Sequence, residues 1–210
     1  MATIVSDIQA QGGVARAFTV DVTDEAALMS VADAVRHDFG PAGIVFNNAG
    51  VMLQTPIAHI DSQAWDQQVD LNIGGLNRIV RAFSAQLMAA ADSQGVADLI
   101  NTASIAAHAL FPTFSVYAAS KAYVTYFGKT LRAELGPRNV RVTTLEPGIV
   151  DTELQSHVAD DRVRERLQST RQNMDWLQAQ DLAELVAFVV SRPARVNLAQ
   201  IAVLPTRQVS

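Results

Sequence analysis

The chain contains two lysines, Lys121 and Lys129, and three tyrosines. One lysine stands four residues after a tyrosine, in "SVYAASKAYVTYFGKTL" (115–131). On a helix, that spacing puts Tyr117 and Lys121 on one face. A free tyrosine has a pKa of about 10 and is a poor base near neutrality. A neighbouring ammonium favours the phenolate, and each unit of depression corresponds to about 1.4 kcal/mol. A tyrosine brought down toward neutral pH can give a proton to a carbonyl or take one from an alcohol. The competing interpretation is a surface Tyr–Lys pair, worth about 0.2–0.5 kcal/mol and chemically inert.

The 210 residues predict one domain, 1–210, with 49% apolar and 18% charged residues. This composition is that of a folded globule and not of a disordered chain. The net charge of -5 argues against nucleic acid as a partner, because phosphate backbones attract a basic face. Without cysteine there is no disulfide framework and no thiolate metal site. The expected location is the cytoplasm, and no membrane is expected as a partner. No apolar run approaches the roughly 18 residues of a membrane span, and the N-terminus lacks a signal-peptide pattern.

Strand and helix patterns alternate. Ile4, Val5 and Ile8 have helical spacing before a stop at Gly12-Gly13. "ARAFTVDV" (15–22) predicts a strand. A helix over 23–40 follows, with Thr23 as N-cap and Gly40 as its end. "GIVFNNAG" (43–50) reads as a strand buried on both faces. A long helix over 61–95, capped by Asp61 or Ser62, should weaken or bend at Gly74-Gly75. A strand (96–104), a helix (115–137) and a strand (140–148) come next. Residues 152–176 are polar, with a solvated helix face in "DDRVRERLQSTR"; a helix (179–193) and a final strand (196–205) close the chain. The expected fold is α/β: a doubly wound, Rossmann-like parallel sheet between two helical layers.

In such sheets ligands bind beyond the carboxyl ends of the strands. Those ends carry Asp21-Val22-Thr23, Asn47-Asn48-Ala49-Gly50, Ser104 and Pro147-Gly148. Each alone is explained as a turn. His37, His59, His108 and His157 are scattered without metal-ligand spacing, and no metal is expected. His108 is a minor candidate for the pocket wall. Met174 and Trp176 are candidates for covering a substrate, with core packing at least as good an explanation.

Taken in order, these pieces resemble the short-chain dehydrogenase/reductase family. The matching stretches are "DVTD" (21–24), "NNAG" (47–50), Asn72 in "VDLNIGG", Ser104 in "INTAS", "YAASK" (117–121) and "PGIVDT" (147–152). The resemblance implies an oxidoreductase that moves a hydride between NAD or NADP, with NADP favoured, and an alcohol/carbonyl substrate. It makes Tyr117 the general acid/base. Lys121 would lower the tyrosine's pKa and hold the nicotinamide ribose. Ser104 would hydrogen-bond the substrate oxygen, and Asn72 would hold a relay water. Asp21 and Val22 would touch adenine, and Asn48, Ala49 and Gly50 would pack on the cofactor. Pro147, Gly148, Val150 and Thr152 would line the nicotinamide. The helices at 61–92 and 115–135 are those through which the family forms homodimers or homotetramers. The ending "RPARVNLAQIAVLPTRQ" is similar to members acting on small 3-hydroxy acids such as serine.

The family's opening strand, its TGxxxGxG turn and its second strand have no counterpart in the 210 residues. In the family's sheet, those two strands separate the one matched by 15–22 from the rest. Three resolutions are open: a longer chain, which is favoured; direct pairing of 15–22 with 43–50; or a partner covering the edge. The functional alternative is a non-catalytic relic or oligomer partner that cannot bind the dinucleotide.

Overall fold

Short apolar runs that bury both faces pair as parallel strands when helices cover the sheet. That is what the computed structural model shows, describing residues 2–154 and 161–209. The described elements are α1 (Ala2–Ala10), α2 (Glu25–Phe39), β1 (Ile44–Asn47), α3 (Ser62–Val69), α4 (Leu76–Gln94), β2 (Ala97–Thr102), α5 (Ser115–Leu135), β3 (Val140–Pro147), α6 (Asp161–Asn173), α7 (Ala179–Val190) and β4 (Gln200–Val203). The strands form one parallel sheet in the order β1-β2-β3-β4.

The expected strand over 15–22 is not formed. Residues 14–21 have no regular secondary structure, and β1 pairs with β2 alone. A strand exists only through a neighbour's hydrogen bonds, and this segment pairs with no strand among the described residues. Direct pairing of 15–22 with 43–50 is therefore also ruled out. Side chains tether the segment instead. Arg16 pairs with Asp38 and lies over the Phe18 ring, while Val20 packs against Leu28, Ala32 and Ala82. The outer edge of β1 is left open, with Ile44 54% and Phe46 43% exposed.

The caps differ slightly from expectation. Asp24, not Thr23, caps α2, because its carboxylate accepts the Ala27 N–H while the Thr23 hydroxyl turns back to Asp21. Asp61 caps α3. The predicted weak point of the long helix is a π-helical segment, Asp70–Gly75, between α3 and α4. β4 is shorter than expected, since only Gln200–Val203 pair with β3.

One face of the sheet packs on α4 and α5 through Leu87, Leu99, Val124, Leu131, Val140 and Val142. Leu76, Val80, Val124 and Leu131, on the helices expected to make the oligomer contact, are in this core. A polar row crosses the same face in register: Asn47, Asn101, Thr144 and Gln200. Gly128 of α5 comes down onto it, and a Cβ there would collide with Thr144 Oγ1. Alternation along β3 sends Arg141 to the opposite face. There it forms a bidentate, buried pair with Asp98 (2.8 and 2.7 Å) and donates to the backbone oxygens of Val190, Arg192, Pro193 and Val196 at the end of α7. No helix among the described residues is long and apolar enough to cross a membrane.

Removing one member of a buried pair strands the other charge. Asp98→Ala is expected to lower the unfolding free energy by about 3–5 kcal/mol in urea titrations. Asp92→Ala, which breaks the exposed Arg138–Asp92 pair, should cost under about 1 kcal/mol.

Candidate active site

Three chain segments meet where β1, β2 and α5 converge. β1 ends at Asn47, and Asn48, Ala49 and Gly50 leave the sheet as a loop. The π-helical segment carries Asn72 into contact with that loop. Its Oδ1 accepts the Val51 N–H (2.9 Å), and its Nδ2 donates to Val51 O (2.9 Å) and Ser120 Oγ (3.1 Å). A Cβ on Gly50 would stand 3.1 Å from Asn72 Oδ1 and 3.6 Å from Lys121 Nζ. Glycine is what lets the loop approach both. The extra residue of a π turn displaces side chains from the α-helical register, which accounts for its frequency at functional sites. Both amide hydrogens of Asn72 are committed, so its side chain fastens loop to helix.

Ser104 follows β2 and caps a short 3-10 turn, Ile105–Ala107, with its Oγ accepting the Ala106 N–H at 3.2 Å. Tyr117 and Lys121 stand one turn apart on α5, both buried. Lys121 Nζ donates to Thr102 O at 2.9 Å and lies 5.8 Å from the centre of the Tyr117 ring. Burial pushes the Tyr117 phenol above its ordinary range, and the Ser104 side chain pulls it partly back. The expectation that Lys121 brings Tyr117 toward neutrality is thus not met: desolvation dominates. Burial also lowers Lys121 itself, to about 8.

A cavity of about 170 Å³ joins Val22, Asn48, Ala49, Asn72 and Lys121, with Phe46, Gly75 and Thr102 in its wall. Five of the expected residues therefore share one space. Asp21 is exposed. Its carboxylate accepts the Thr23 N–H and hydroxyl, which hold it below the usual range. Beyond β3, Gly148 N–H donates to Val203 O, Val150 bridges to Leu177, and Thr152 Oγ1 accepts the Leu154 N–H at 3.4 Å. An apolar wall of Met52, Ala106 and Phe114 encloses Tyr117, with Leu154 and with Val163 and Leu167 of α6 against it. Trp176 takes the Arg171 guanidinium over its ring. His108 turns to Glu146. His157 lies outside the described residues. A larger open hollow, about 550 Å³, lies along α3 among Ser62, Asp66 and Asp70 and holds none of the expected residues.

Ser120 was not anticipated from sequence. Its hydroxyl donates to Tyr117 O (2.7 Å) and accepts from Asn72. Its place beside Lys121, three residues after Tyr117, is the one signal that pointed to it.

The family model described as short chain dehydrogenase matches residues 1–163. The chain belongs to that family. It is 35% identical over 192 residues to sulfoacetaldehyde reductase 2 of Chromohalobacter salexigens, covering 90% of this chain and 74% of that protein. It is 30% identical over 189 residues to serine 3-dehydrogenase of Rhizobium radiobacter, with the same coverages. The solved closed form of serine dehydrogenase complexed with NADP+ superposes with a TM-score of 0.81 at 28% identity, over 98% of this chain and 82% of that one.

A lysine that is easier to deprotonate in the folded chain makes stability depend on pH. Between about 8 and 10.5 the unfolded chain binds more protons, so this group makes stability rise with pH. Lys121→Met should therefore be more stable than the parent at pH 7 in thermal or urea unfolding. That advantage should shrink as pH rises through this window.

Proposed function

We propose that the chain is an NAD(P)-dependent oxidoreductase that interconverts an alcohol and a carbonyl, with Tyr117 giving or taking the substrate proton. The observation that carries this is a buried phenol, influenced by the Ser104 hydroxyl, standing one helical turn from a buried lysine. Family membership supports it, as does the resemblance to proteins named for reduction of an aldehyde and oxidation of a hydroxy acid.

The residues present fit the ribose and nicotinamide end of the cofactor. The cavity brings Val22, Asn48 and Ala49 to the Lys121 ammonium, a donor suited to ribose hydroxyls. Asp21 and Val22 would lie toward adenine, Gly50 against the cofactor, and Pro147, Gly148, Val150 and Thr152 beside the nicotinamide. No TGxxxGxG turn is present in the sequence for the pyrophosphate. The bound nicotinamide supplies or accepts the hydride.

The protein's own part is proton transfer and positioning. At neutral pH the raised phenol is protonated, ready to donate to a carbonyl oxygen in the reducing direction. Ser104 donates to the same oxygen and steadies the charge that develops there. The Lys121 ammonium favours the phenolate left behind. Asn72 and Ser120 hold the first turn of α5 in place, and the wall formed by Met52, Phe114 and α6 keeps water from the reacting carbon. The substrate class proposed is a small alcohol or aldehyde bearing an acid group, such as serine or sulfoacetaldehyde. NADP is the favoured cofactor, given the complex with NADP+.

The same reading includes a homodimer or homotetramer through 61–92 and 115–135. Tyr126, 71% exposed on α5, is available for that contact. Tyr126→Asp should lower the sedimentation coefficient; an unchanged value argues against this surface.

Tyr117→Phe should reduce turnover of sulfoacetaldehyde with NADPH, or of serine with NADP+, by about 100- to 10,000-fold. NADPH binding by fluorescence titration should survive the substitution. If the wild-type chain leaves NADPH fluorescence unaltered, the non-catalytic alternative replaces this reading.

A further inference from the structure

Glu146 lies one residue before Pro147, on the face of β3 that packs against α5, and is 2% exposed. A carboxylate there is costly unless donors surround it. Three side chains do so. Oε1 accepts from Thr125 Oγ1 (2.8 Å), from His108 Nε2 (3.0 Å) and from Gln200 Nε2 (2.9 Å), and Oε2 accepts from Gln200 Nε2 (2.9 Å). An ionised carboxylate only accepts, so the His108 proton must sit on Nε2. Of the three partners, only His108 can carry a charge.

Each partner comes from a different element. Thr125 is one turn beyond Lys121 on α5, Gln200 opens β4, and His108 ends the 3-10 turn that Ser104 begins. That turn is three residues long, and Ala106 is its only buried member. A 3-10 turn of this length has poor hydrogen-bond geometry and little packing of its own. Something else must fix its far end. The His108 side chain, 52% exposed, adds little to the core. Its shorter contact, 3.0 Å against 3.4 Å to Gln200 Nε2, runs to a carboxylate anchored on the strand and on the helix that carries Tyr117.

We propose that His108 and Glu146 are positioning residues: the Glu146 carboxylate anchors His108, and through it the turn that aims the Ser104 hydroxyl at the substrate oxygen. This rests on the proposed role of Ser104. Neither residue touches the substrate, and the pair acts through the geometry of residues 104–108.

Two variants separate anchoring from folding. His108→Phe keeps a ring but loses the donor, whereas His108→Gln retains a donor able to reach Glu146. In hydrogen exchange, His108→Phe should speed exchange of the Ala106, Ala107 and His108 amides while the amides of β2 and β3 keep their protection. His108→Gln should restore the slow rates. In turnover, His108→Phe should lower kcat by about 10- to 100-fold with little change in KM, the range that misplacement of a reacting group by about 1 Å produces. In a Ser104→Ala background the same substitution should cost almost nothing further. Wild-type exchange at 106–108 in His108→Phe overturns the proposal. So does an undiminished cost of His108→Phe in the Ser104→Ala background. If Ser104→Ala leaves turnover intact, the proposed role of Ser104 fails instead, and exchange at 106–108 still decides the anchor.

Discussion

Lys121 donates to the last backbone carbonyl of β2 across 2.9 Å, and the candidate site is arranged around that bond. It fixes α5 to the carboxyl end of the central strands, where a parallel sheet leaves room for a ligand. Around it, Gly50 supplies a backbone without a side chain, the π-helical segment presents Asn72, and Ser120 joins Asn72 to the turn that carries Tyr117. A buried ammonium is costly, which shows in the lowered pKa of Lys121. The sheet and its two helices must be stable enough to offset that cost.

The stabilising elements are arranged accordingly. Apolar packing of β2 and β3 on α4 and α5 makes one face of the sheet rigid. On the other face the Asp98–Arg141 pair ties two strands to the end of α7. β1 is the weaker member. It is an edge with exposed apolar side chains, yet it delivers Asn48, Ala49 and Gly50 to the cavity. An open apolar edge is a template for further strand pairing.

Much of the site is legible in the sequence, because helical spacing and strand-end position are one-dimensional facts. The four-residue step from Tyr117 to Lys121 predicted a shared face, and the paired glycines 74 and 75 predicted a helix defect beside Asn72. Other features were not legible. Residues 15–22 have a strand-like pattern, but pattern cannot supply the neighbour that a strand requires. Glu146 reads as an ordinary residue before a Pro-Gly turn; its three donors come from positions 108, 125 and 200. The direction of the Tyr117 shift also escaped the sequence. A nearby lysine argued for a fall, and burial produced a rise.

By itself, the sequence determined the order and type of most elements and the chemical types placed at the strand ends. These follow from local periodicity, capping and turn chemistry, which act over a few residues. Only the tertiary structure decided which strands pair, that Asn72 holds Val51 and Ser120, that Glu146 gathers His108, Thr125 and Gln200, and that burial raises the Tyr117 pKa. Those outcomes depend on which distant groups share a space and how much water is excluded from it. Desolvation and hydrogen bonding between residues far apart in the chain are set by packing.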